Sequence, residues 1–318
     1  MKGNGGILGP LNSPTTNSAP GVWSLRESIR HILANNWPSV STGSYNAQYL
    51  IVAAGAAGGG HYRAGGGGAG DLDEGTLLIN SGQTYTFTIG VGGQPVAGDS
   101  GTAGNDSSLD AITVPGGGPG GKYGVDGGPG GNGGGGGGLS GGAGVGGLGN
   151  PGNDGGDGSN GSAQCGGGGA GAGSPGFNGG SGPDDGNGGD GVTSTIITPA
   201  IASAHNVGEV IGSDVWFCGG GSAGSYDAGN DTTPGKGGGG KGPKASYANG
   251  GDAMPNTGGG GGGSSGATAG LGGVGSDGVG LLRIPTANYT GVITGSPIVV
   301  TEGLDTILIF KTSGTYTG

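Results

Sequence analysis

Alternating apolar and polar residues predict short β-strands along much of the chain. The clearest alternation is TYTFTIGVGG at 84–93, in which Tyr85, Phe87 and Ile89 alternate with threonines, as on a strand with one buried face. Compact apolar runs predict further strands, namely QYLIVAAG at 48–55, AITV at 111–114, STIIT at 194–198, EVIGSDVWFC at 209–218 and VGLLRIP at 279–285. The tail at 295–318 predicts two or three more, either as a separate small β unit or with a strand exchanged between subunits.

One segment, GVWSLRESIRHILANNWP at 21–38, has the apolar period of a helix. Ser24 and Glu27 form a capping box, and Pro38 stops the pattern. This short helix cannot bury its apolar stripe alone, so we expect it to dock on a neighbouring subunit or to pack within its own chain. Its candidate assembly contacts are Trp23, Leu25, Ile29, Ile32, Leu33 and Trp37. Residues 1–20, rich in Gly, Pro, Asn, Ser and Thr, predict an extended arm that is ordered by lying on a partner.

Between the strands lies a glycine-rich region, 115–280, in which many glycines recur every third residue. The longest unbroken series runs from Gly118 to Gly136, and its phase then shifts. A period of three belongs to the polyproline II type of helix, which has no internal hydrogen bonds and must pair its main chain with neighbours. We expect short rods packed side by side in a polyglycine II-type helix bundle. Seventeen prolines are too few for collagen, and a flexible linker is the alternative.

These patterns predict an all-β fold, in which a small antiparallel β scaffold carries long glycine-rich loops. We divide the chain into an N-terminal arm and short helix for attachment at 1–40, the scaffold with its glycine-rich rod bundle at 41–285, and a small C-terminal β segment at 286–318.

The net charge of −11 and the pI of about 4.3 argue against nucleic acid or an anionic membrane surface as a partner. No apolar run approaches the ~20 residues of a membrane-spanning helix, so we expect no membrane insertion, and MKGNGGILGP lacks the apolar block of a secretion signal. Cys165 and Cys218 either form a bridge or are buried thiols, and the second is favoured.

Several segments of the chain resemble a known family. YLIVAAGAAGGG at 49–60, TYTFTIGVGG, the interrupted glycine tracts and the closing GVGLLRIP at 278–285 resemble the glycine-rich domain of bacteriophage tail-fibre and related virion proteins. The segment 21–38 is similar to one that often precedes that domain, and 296–318 to one that often follows it. The chain is also similar to distal adhesins of some tailed phages, which use packed polyglycine rods.

The resemblance implies a virion surface appendage that touches the host envelope. The expected partners are the protein itself, as a homo-oligomer and preferably a homotrimer, other virion proteins through the N-terminal arm and helix, and a host cell-surface glycan or outer-membrane protein. The alternatives are a purely structural virion component, such as a head fibre, decoration or fibre-shaft subunit, and, more distantly, an ice-binding protein.

The sequence has only weak motifs for catalysis, nucleotide binding or metal binding, so we expect no enzyme, no cofactor and no metal site. GGGPGGKY at 116–123 has the spacing of a phosphate loop, but Tyr123 stands where a Ser or Thr would meet magnesium. The acidic turns at 152–161 and 182–191 are similar to calcium-binding repeats without their nine-residue pattern, which favours solvated turns. The histidines, His31, His61 and His205, lack metal-ligand spacing.

Isolated large side chains in the glycine tracts are the candidate receptor contacts. They are His61, Tyr62, Arg63, Tyr123, Phe177, Tyr226 and Tyr247. Rigid aromatic rings on connecting loops are suited to recognising sugar rings or protein loops. The alternative is that they seal the open ends of the bundle.

Overall fold

A computed structural model describes residues 43–160, 165–180, 185–226, 231–244, 247–266 and 269–318. Contacts divide the chain after Ser44, and Tyr45–Gly318 is the unit described below. The predicted N-terminal arm and helix, with all six candidate assembly contacts, lie outside the described residues.

The described part of the chain is mostly β, as predicted. Its strands are β1 (Tyr45–Val52), β2 (Leu72–Ile79), β3 (Thr84–Thr88), β4 (Ser107–Leu109), β5 (Ile112–Val114), β6 (Val192–Ser194), β7 (Glu209–Ile211), β8 (Asp214–Phe217), β9 (Val279–Pro285), β10 (Val292–Thr294), β11 (Ile298–Glu302), β12 (Asp305–Phe310) and β13 (Gly314–Thr317). They form three antiparallel sheets with the orders β11-β12-β9-β1-β2, β10-β13-β3-β4-β5 and β6-β8-β7. The first sheet is central, because apolar residues on its two faces belong to two different cores.

The two cores explain the apolar runs of the central strands. Ile51 and Leu282 face the second sheet, and Phe310 of the first sheet stacks on Phe87 of the second with ring centroids 4.2 Å apart. On the opposite face, Leu50 joins a core that includes residues of the third sheet. A strand buried on both faces reads as a continuous apolar run, which is why QYLIV and VGLLRIP are so prominent in the sequence.

The C-terminal strands extend the two large sheets. β12 pairs with β9 along its whole length, and β13 pairs with β3 of the second sheet. Residues 286–318 therefore complete the scaffold of the same chain and do not form a sheet of their own.

The α-helix among the described residues, α1 (Pro199–His205), was not predicted. Pro199 occupies its first turn, and Asn206 ends it in the left-handed conformation with φ of 50°. The predicted strand at 194–198 is correct only for Ser194, the last residue of β6, since Ile196 and Ile197 are buried in irregular chain that leads into α1. A short 3-10 turn covers Thr286–Asn288. No helix in the described ranges is long and apolar enough to cross a bilayer.

The glycine segments are neither helix nor pleated strand, and they run alternately away from the sheets and back. Segment 53–60 continues from β1, and 64–71 returns antiparallel to it and enters β2, with Ala56 donating to Gly68 and Gly59 to Gly65 at 2.9 Å. Shared hydrogen bonds give the direction of the others. Segments 115–121, 133–138, 219–225 and 257–266 run outward, and 99–105, 165–171 and 270–276 run back.

Segment 64–71 shows how this region is held together. Six segments share hydrogen bonds with it, namely 53–60, 115–121, 133–138, 165–171, 219–225 and 257–266. The N–H groups of Ala64, Gly67 and Gly70 all donate to segment 257–266 at 2.8–2.9 Å. The N–H groups at 65, 68 and 71 donate to segment 115–121, and those at 66 and 69 donate to segment 165–171. The other three segments donate to its carbonyl groups. Successive N–H groups thus point to three neighbours in turn.

Side chains are excluded from this contact. A Cβ added at Gly66 would lie 2.6 Å from the carbonyl carbon of Gly221, and one at Gly169 would lie within 3 Å of the Gly67 carbonyl group. Real Cβ atoms do not approach backbone this closely, so the neighbouring segments would have to separate. Main chain therefore packs directly on main chain at these glycine positions, while small side chains such as those of Ala64 and Ala69 are buried between them.

Candidate functional site

Turns at the end of the glycine region far from the sheets bring most of the predicted contact residues together. Residues 61–63 connect segment 53–60 to 64–71, Tyr123 follows segment 115–121, Tyr226 follows 219–225, and Tyr247 pairs through its N–H with Ser265 at the end of 257–266. We call the resulting group the aromatic cluster; it consists of His61, Tyr62, Arg63, Tyr123, Tyr226 and Tyr247.

Tyr62 lies at the centre of the aromatic cluster. Its ring meets those of Tyr226, Tyr247 and Tyr123 edge to face, with centroids 5.4, 6.1 and 6.2 Å apart. Tyr226 and Tyr247 also meet edge to face at 6.1 Å. Edge-to-face pairs set the positive ring edge against the negative ring face, and each adds about 0.5–1.5 kcal/mol beyond the area buried. The four tyrosines therefore hold one another in fixed orientations.

Arg63 places a positive charge among these rings. Its guanidinium carbon lies 5.6 Å from the ring centroid of Tyr123 and 5.8 Å from that of Tyr226, distances at which a cation is attracted to a ring face. Tyr62, Arg63, Tyr123 and Tyr226 line a cavity of about 210 Å³. Among these four lining residues, Arg63 is the charged one.

His61 closes one side of the cluster, stacked on Tyr123 with centroids 5.6 Å apart. Burial, and then the nearby charge of Lys122, lower the pKa of its imidazole below the ordinary value of 6.5. Its Nδ1 is buried and has no hydrogen-bond partner among the described residues. The histidine is therefore neutral near pH 7, and the Lys122 ammonium is paired with Asp99 at 3.0 Å.

The backbone of the cluster is held in an uncommon conformation. His61, Arg63 and Tyr247 have φ of 77°, 48° and 66°, in the left-handed region that non-glycine residues rarely occupy. Main-chain hydrogen bonds fix these residues, since His61 donates to Gly270 and the Arg63 carbonyl accepts from Gly138. The surrounding glycine segments thus impose the geometry from which the side chains project.

Phe177, the remaining candidate, does not join the aromatic cluster. It is 46% exposed, and its carbonyl accepts from Gly168 along the length of a segment rather than at a far turn. Sequence spacing could not separate it from the others, because it too is a single aromatic residue between glycines.

Sequence reasoning missed the part played by the acidic glycine turns. Asp154 and Asp157, in the acidic turn at 152–161, accept the N–H groups of Gly149 and Gly146 at 2.9 Å. Their carboxylates replace the carbonyls that a further glycine segment would supply at the edge of the region. The signal was present in the sequence, since the two aspartates are three residues apart. Among the described residues, no three His, Cys, Asp or Glu side chains are placed to hold a metal ion.

Both cysteines are free and buried, which confirms the favoured expectation. Burial raises the pKa of the Cys165 thiol to about 12, and it raises that of Cys218 well above its usual value. The thiols are therefore protonated near neutral pH and pack as small apolar groups.

Comparison with known families agrees with this architecture. A family model described as a glycine-rich domain matches residues 34–285, which is most of the chain. The chain belongs to the glycine-rich domain family. The match ends at Pro285, the last residue of β9, so the glycine-rich domain covers the glycine segments and the strands through β9, while β10 to β13 lie beyond it. No match was found among curated proteins or among solved structures.

Proposed function

We propose that the glycine segments form a polyglycine II-type helix bundle that acts as a stiff spacer. The support is the hydrogen bonding of segment 64–71, because N–H groups that address three neighbours in rotation are what a chain with three residues per turn produces. At about 3.1 Å per residue, the eight residues of segment 53–60 would carry the aromatic cluster about 25 Å from the sheets.

We further propose that the protein is a bacteriophage virion fibre protein, specifically a tail-fibre protein or distal adhesin. One observation carries the proposal: the large aromatic side chains of separate glycine turns gather at the end farthest from the sheets. A group of ordered rings with one cation is typical of recognition surfaces, since such rings lose little conformational entropy on binding. In this proposal the N-terminal arm and helix attach the protein to other virion proteins, and the protein is a homotrimer. The receptor would be a glycan or an outer-membrane protein of the host.

Binding to bacterial cells tests this proposal. Fluorescently labelled protein should bind the strains on which the phage grows, and unlabelled protein should slow phage adsorption to them. Tyr62→Ala, which removes the central ring, should lower cell binding at least tenfold. Phe177→Ala is the matched control, because it removes an exposed ring outside the aromatic cluster and should leave binding unchanged.

Two outcomes would contradict the proposal. Protein that binds none of the susceptible strains at high concentration is not an adhesin. Binding that survives Tyr62→Ala, in protein whose melting temperature is unchanged, would place the receptor site elsewhere.

A purely structural virion subunit is the second candidate. It is favoured by exposed apolar side chains on the scaffold, with Leu304 in the β11–β12 turn 88% exposed and Val292 of β10 56% exposed. Side chains of this kind are often covered in an assembly. A cryo-EM reconstruction of the particle separates the two functions, because a structural subunit would have the aromatic cluster buried against a neighbour.

A further inference from the structure

We propose that two copies of the chain associate by pairing their β11 strands antiparallel across a twofold axis, which joins their first sheets edge to edge. This inference goes beyond the proposed function and does not depend on it. The features that support it are the free main chain of β11, the contrast with the other outer strands, and the match of β11 with itself.

One side of β11 has main-chain groups without partners. β11 is an outer strand of the first sheet and leads into β12 through a two-residue turn that begins with Gly303, at φ of 61°. A turn of this kind closes on a hydrogen-bonded pair, here Glu302 and Asp305. Because such pairs alternate along an antiparallel ladder, the N–H and C=O groups of Val299 and Thr301 point away from β12. Among the described residues, none bonds to these four groups.

The other outer strands of the described sheets are protected against such pairing. β5, β6, β7 and β10 have three residues each, and β2 carries the adjacent charges of Asp73 and Glu74. Short outer strands and charged side chains are common means by which proteins prevent edge-to-edge pairing. β11 has five residues, IVVTE, without lysine or proline, and it begins with three apolar β-branched side chains. It is therefore the outer strand best suited to receive a further strand.

Exposed apolar side chains lie along the same edge. Val299 is 44% exposed, although Leu308, its neighbour on β12, is fully buried in the core between the first two sheets. Leu304 in the turn is 88% exposed, more than any other large apolar side chain in the described ranges. A strand added beside β11 would cover Val299 and complete this edge of the core.

β11 is complementary to a second copy of itself. Pairing centred on Val300 sets Val299 opposite Thr301 of the second copy, and Thr301 opposite Val299 of the second copy. Each of these pairs exchanges two hydrogen bonds, so all the free groups of both strands are satisfied. Val300 then meets Val300 of the second copy. Glu302, the charged residue of β11, meets Ile298 rather than another carboxylate.

The charge of Glu302 is compensated within its own chain. Its carboxylate is paired with Arg283 at 2.9 Å and accepts a hydrogen bond from the Thr198 hydroxyl at 2.8 Å. Pairing in the proposed register therefore brings no unpaired charge into the contact. The net charge of −11 on each copy opposes association at long range, so the contact should tighten as salt screens this repulsion.

The twofold symmetry separates this contact from the proposed homotrimer. A twofold contact uses the same surface on both copies and closes with two, so it cannot hold three copies in a ring. In a homotrimer, each of the three β11 edges would bind a copy from a second trimer. The expected assembly therefore has six chains if the homotrimer forms and two chains if it does not.

Sedimentation equilibrium on the full chain tests the inference by measuring the number of copies over a range of concentrations. Thr301→Pro is the main variant, because it removes a donor that β12 does not use and places a proline ring on the open side. The dissociation constant of the β11 contact should rise at least tenfold. Thr301→Val, which keeps the N–H group, should leave it unchanged, and melting curves show that both variants are folded.

A charge on the same edge is a second way to block the contact. Val299→Lys should also weaken association at least tenfold, because lysine on an outer strand prevents pairing. Leu78→Lys is the matched control, since Leu78 is 51% exposed on β2, the outer strand at the opposite edge of the same sheet, and it should have no effect.

An engineered cysteine tests the register. Val300 and its counterpart would form a non-hydrogen-bonded pair with Cα atoms about 4.5 Å apart, within the range that a disulfide spans. Val300→Cys should therefore cross-link two copies on mild oxidation, whereas Leu78→Cys should not. The native Cys165 and Cys218 are buried, so the parent protein should show no cross-link.

The inference is overturned by a single chain at all concentrations, by association that folded Thr301→Pro and Val299→Lys proteins retain, or by Val300→Cys protein that associates without cross-linking. Three chains in the parent and in Thr301→Pro would support the homotrimer and overturn the β11 contact. Two chains that Thr301→Pro separates would support the β11 contact and overturn the homotrimer. Six chains that become three in Thr301→Pro would support both. None of these measurements uses bacterial cells, so a failure of the adhesin proposal leaves them unaffected.

Discussion

Gly66→Ala tests whether main-chain contact holds the glycine region together. Gly66 lies in segment 64–71, which shares hydrogen bonds with six others. The added Cβ would lie 2.6 Å from the carbonyl carbon of Gly221 and 3.0 Å from the amide nitrogen of Gly169. Both are backbone atoms, so neither can rotate away, and two segments must move apart.

The expected loss can be worked out from these contacts. Overpacking a well-filled interior costs about 1–3 kcal/mol. Separation would also weaken the hydrogen bonds from Gly66 to Gly167 and from Gly135 to Gly66, each worth about 1 kcal/mol. The lower entropy of alanine in the unfolded chain offsets about 0.4–1 kcal/mol. We expect a net loss of about 3 kcal/mol, which for a chain of this size lowers the melting temperature by about 6–12 °C.

Differential scanning calorimetry measures this loss, with Gly142→Ala as the control. Gly142 also lies in the glycine-rich sequence, but the nearest atom to an added Cβ is a leucine methyl at 3.8 Å. Its melting temperature should stay within about 2 °C of the parent protein. Equal melting temperatures for Gly66→Ala and Gly142→Ala would refute the reasoning, because they would show that the interior glycines have room for side chains.

Three further predictions concern the scaffold and the glycine region. The Glu209 carboxylate accepts hydrogen bonds from the N–H groups of Gly237 and Gly238 at 2.7 and 2.9 Å. Glu209→Ala should therefore lower the free energy of unfolding in urea by about 2 kcal/mol, and Glu209→Gln by about half as much. Equal losses would show that the charge of Glu209 contributes nothing. Burial raises the pKa of the Cys165 thiol from about 9 to about 12, so the stability that the protonated thiol contributes should be complete below pH 9 and lost toward pH 12. In a pH series of melting curves, Cys165→Ala should therefore show a smaller decline in melting temperature over this range. An unchanged decline would show that the Cys165 thiol is not its cause. The Arg283 guanidinium forms salt bridges with the partly buried carboxylates of Glu302 and Asp305, both at 2.9 Å. Arg283→Met should lower the free energy of unfolding by about 2 kcal/mol in the same urea assay. An unchanged free energy would show that these two salt bridges do not stabilise the fold.

The β scaffold was largely predictable from sequence because its central strands are apolar on both faces. VGLLRIP was assigned with the bounds that β9 has, whereas β3 covers only the first five residues of the predicted strand TYTFTIGVGG. β2 was missed because LDEGTLLI is polar at its start and alternates in exposure as an edge strand. Its pairing with β1 decides the conformation, and pairing of this kind does not show in the local sequence.

The short helix α1 was missed for a related reason. TPAIASAH is too short for a helical period to emerge, and it is helical because Ala202 and its neighbours pack on the third sheet. Tertiary contact overrides weak local preference in such segments.

The aromatic cluster shows where sequence reasoning stopped. Isolated large residues among glycines were correctly singled out as unusual, but the pattern gave no information on which turns are neighbours. Residues 62 and 226 meet because segments 64–71 and 219–225 share hydrogen bonds, an adjacency set by the order in which all the segments pack. Phe177 carries the same local signal and lies apart from the cluster.

The rotation of N–H groups along each glycine segment limits how such a chain can change its length. Inserting one residue into segment 64–71 would turn every later donor by a third of a revolution, toward the wrong neighbour, whereas inserting three would restore the alignment. Even a three-residue insertion would have to be matched in the six adjoining segments. The glycine region therefore cannot lengthen one segment at a time without losing hydrogen bonds. Insertions in the turns that carry the aromatic cluster disturb no such alignment. We therefore expect members of the family to differ in sequence and length mainly in these turns, far from the sheets.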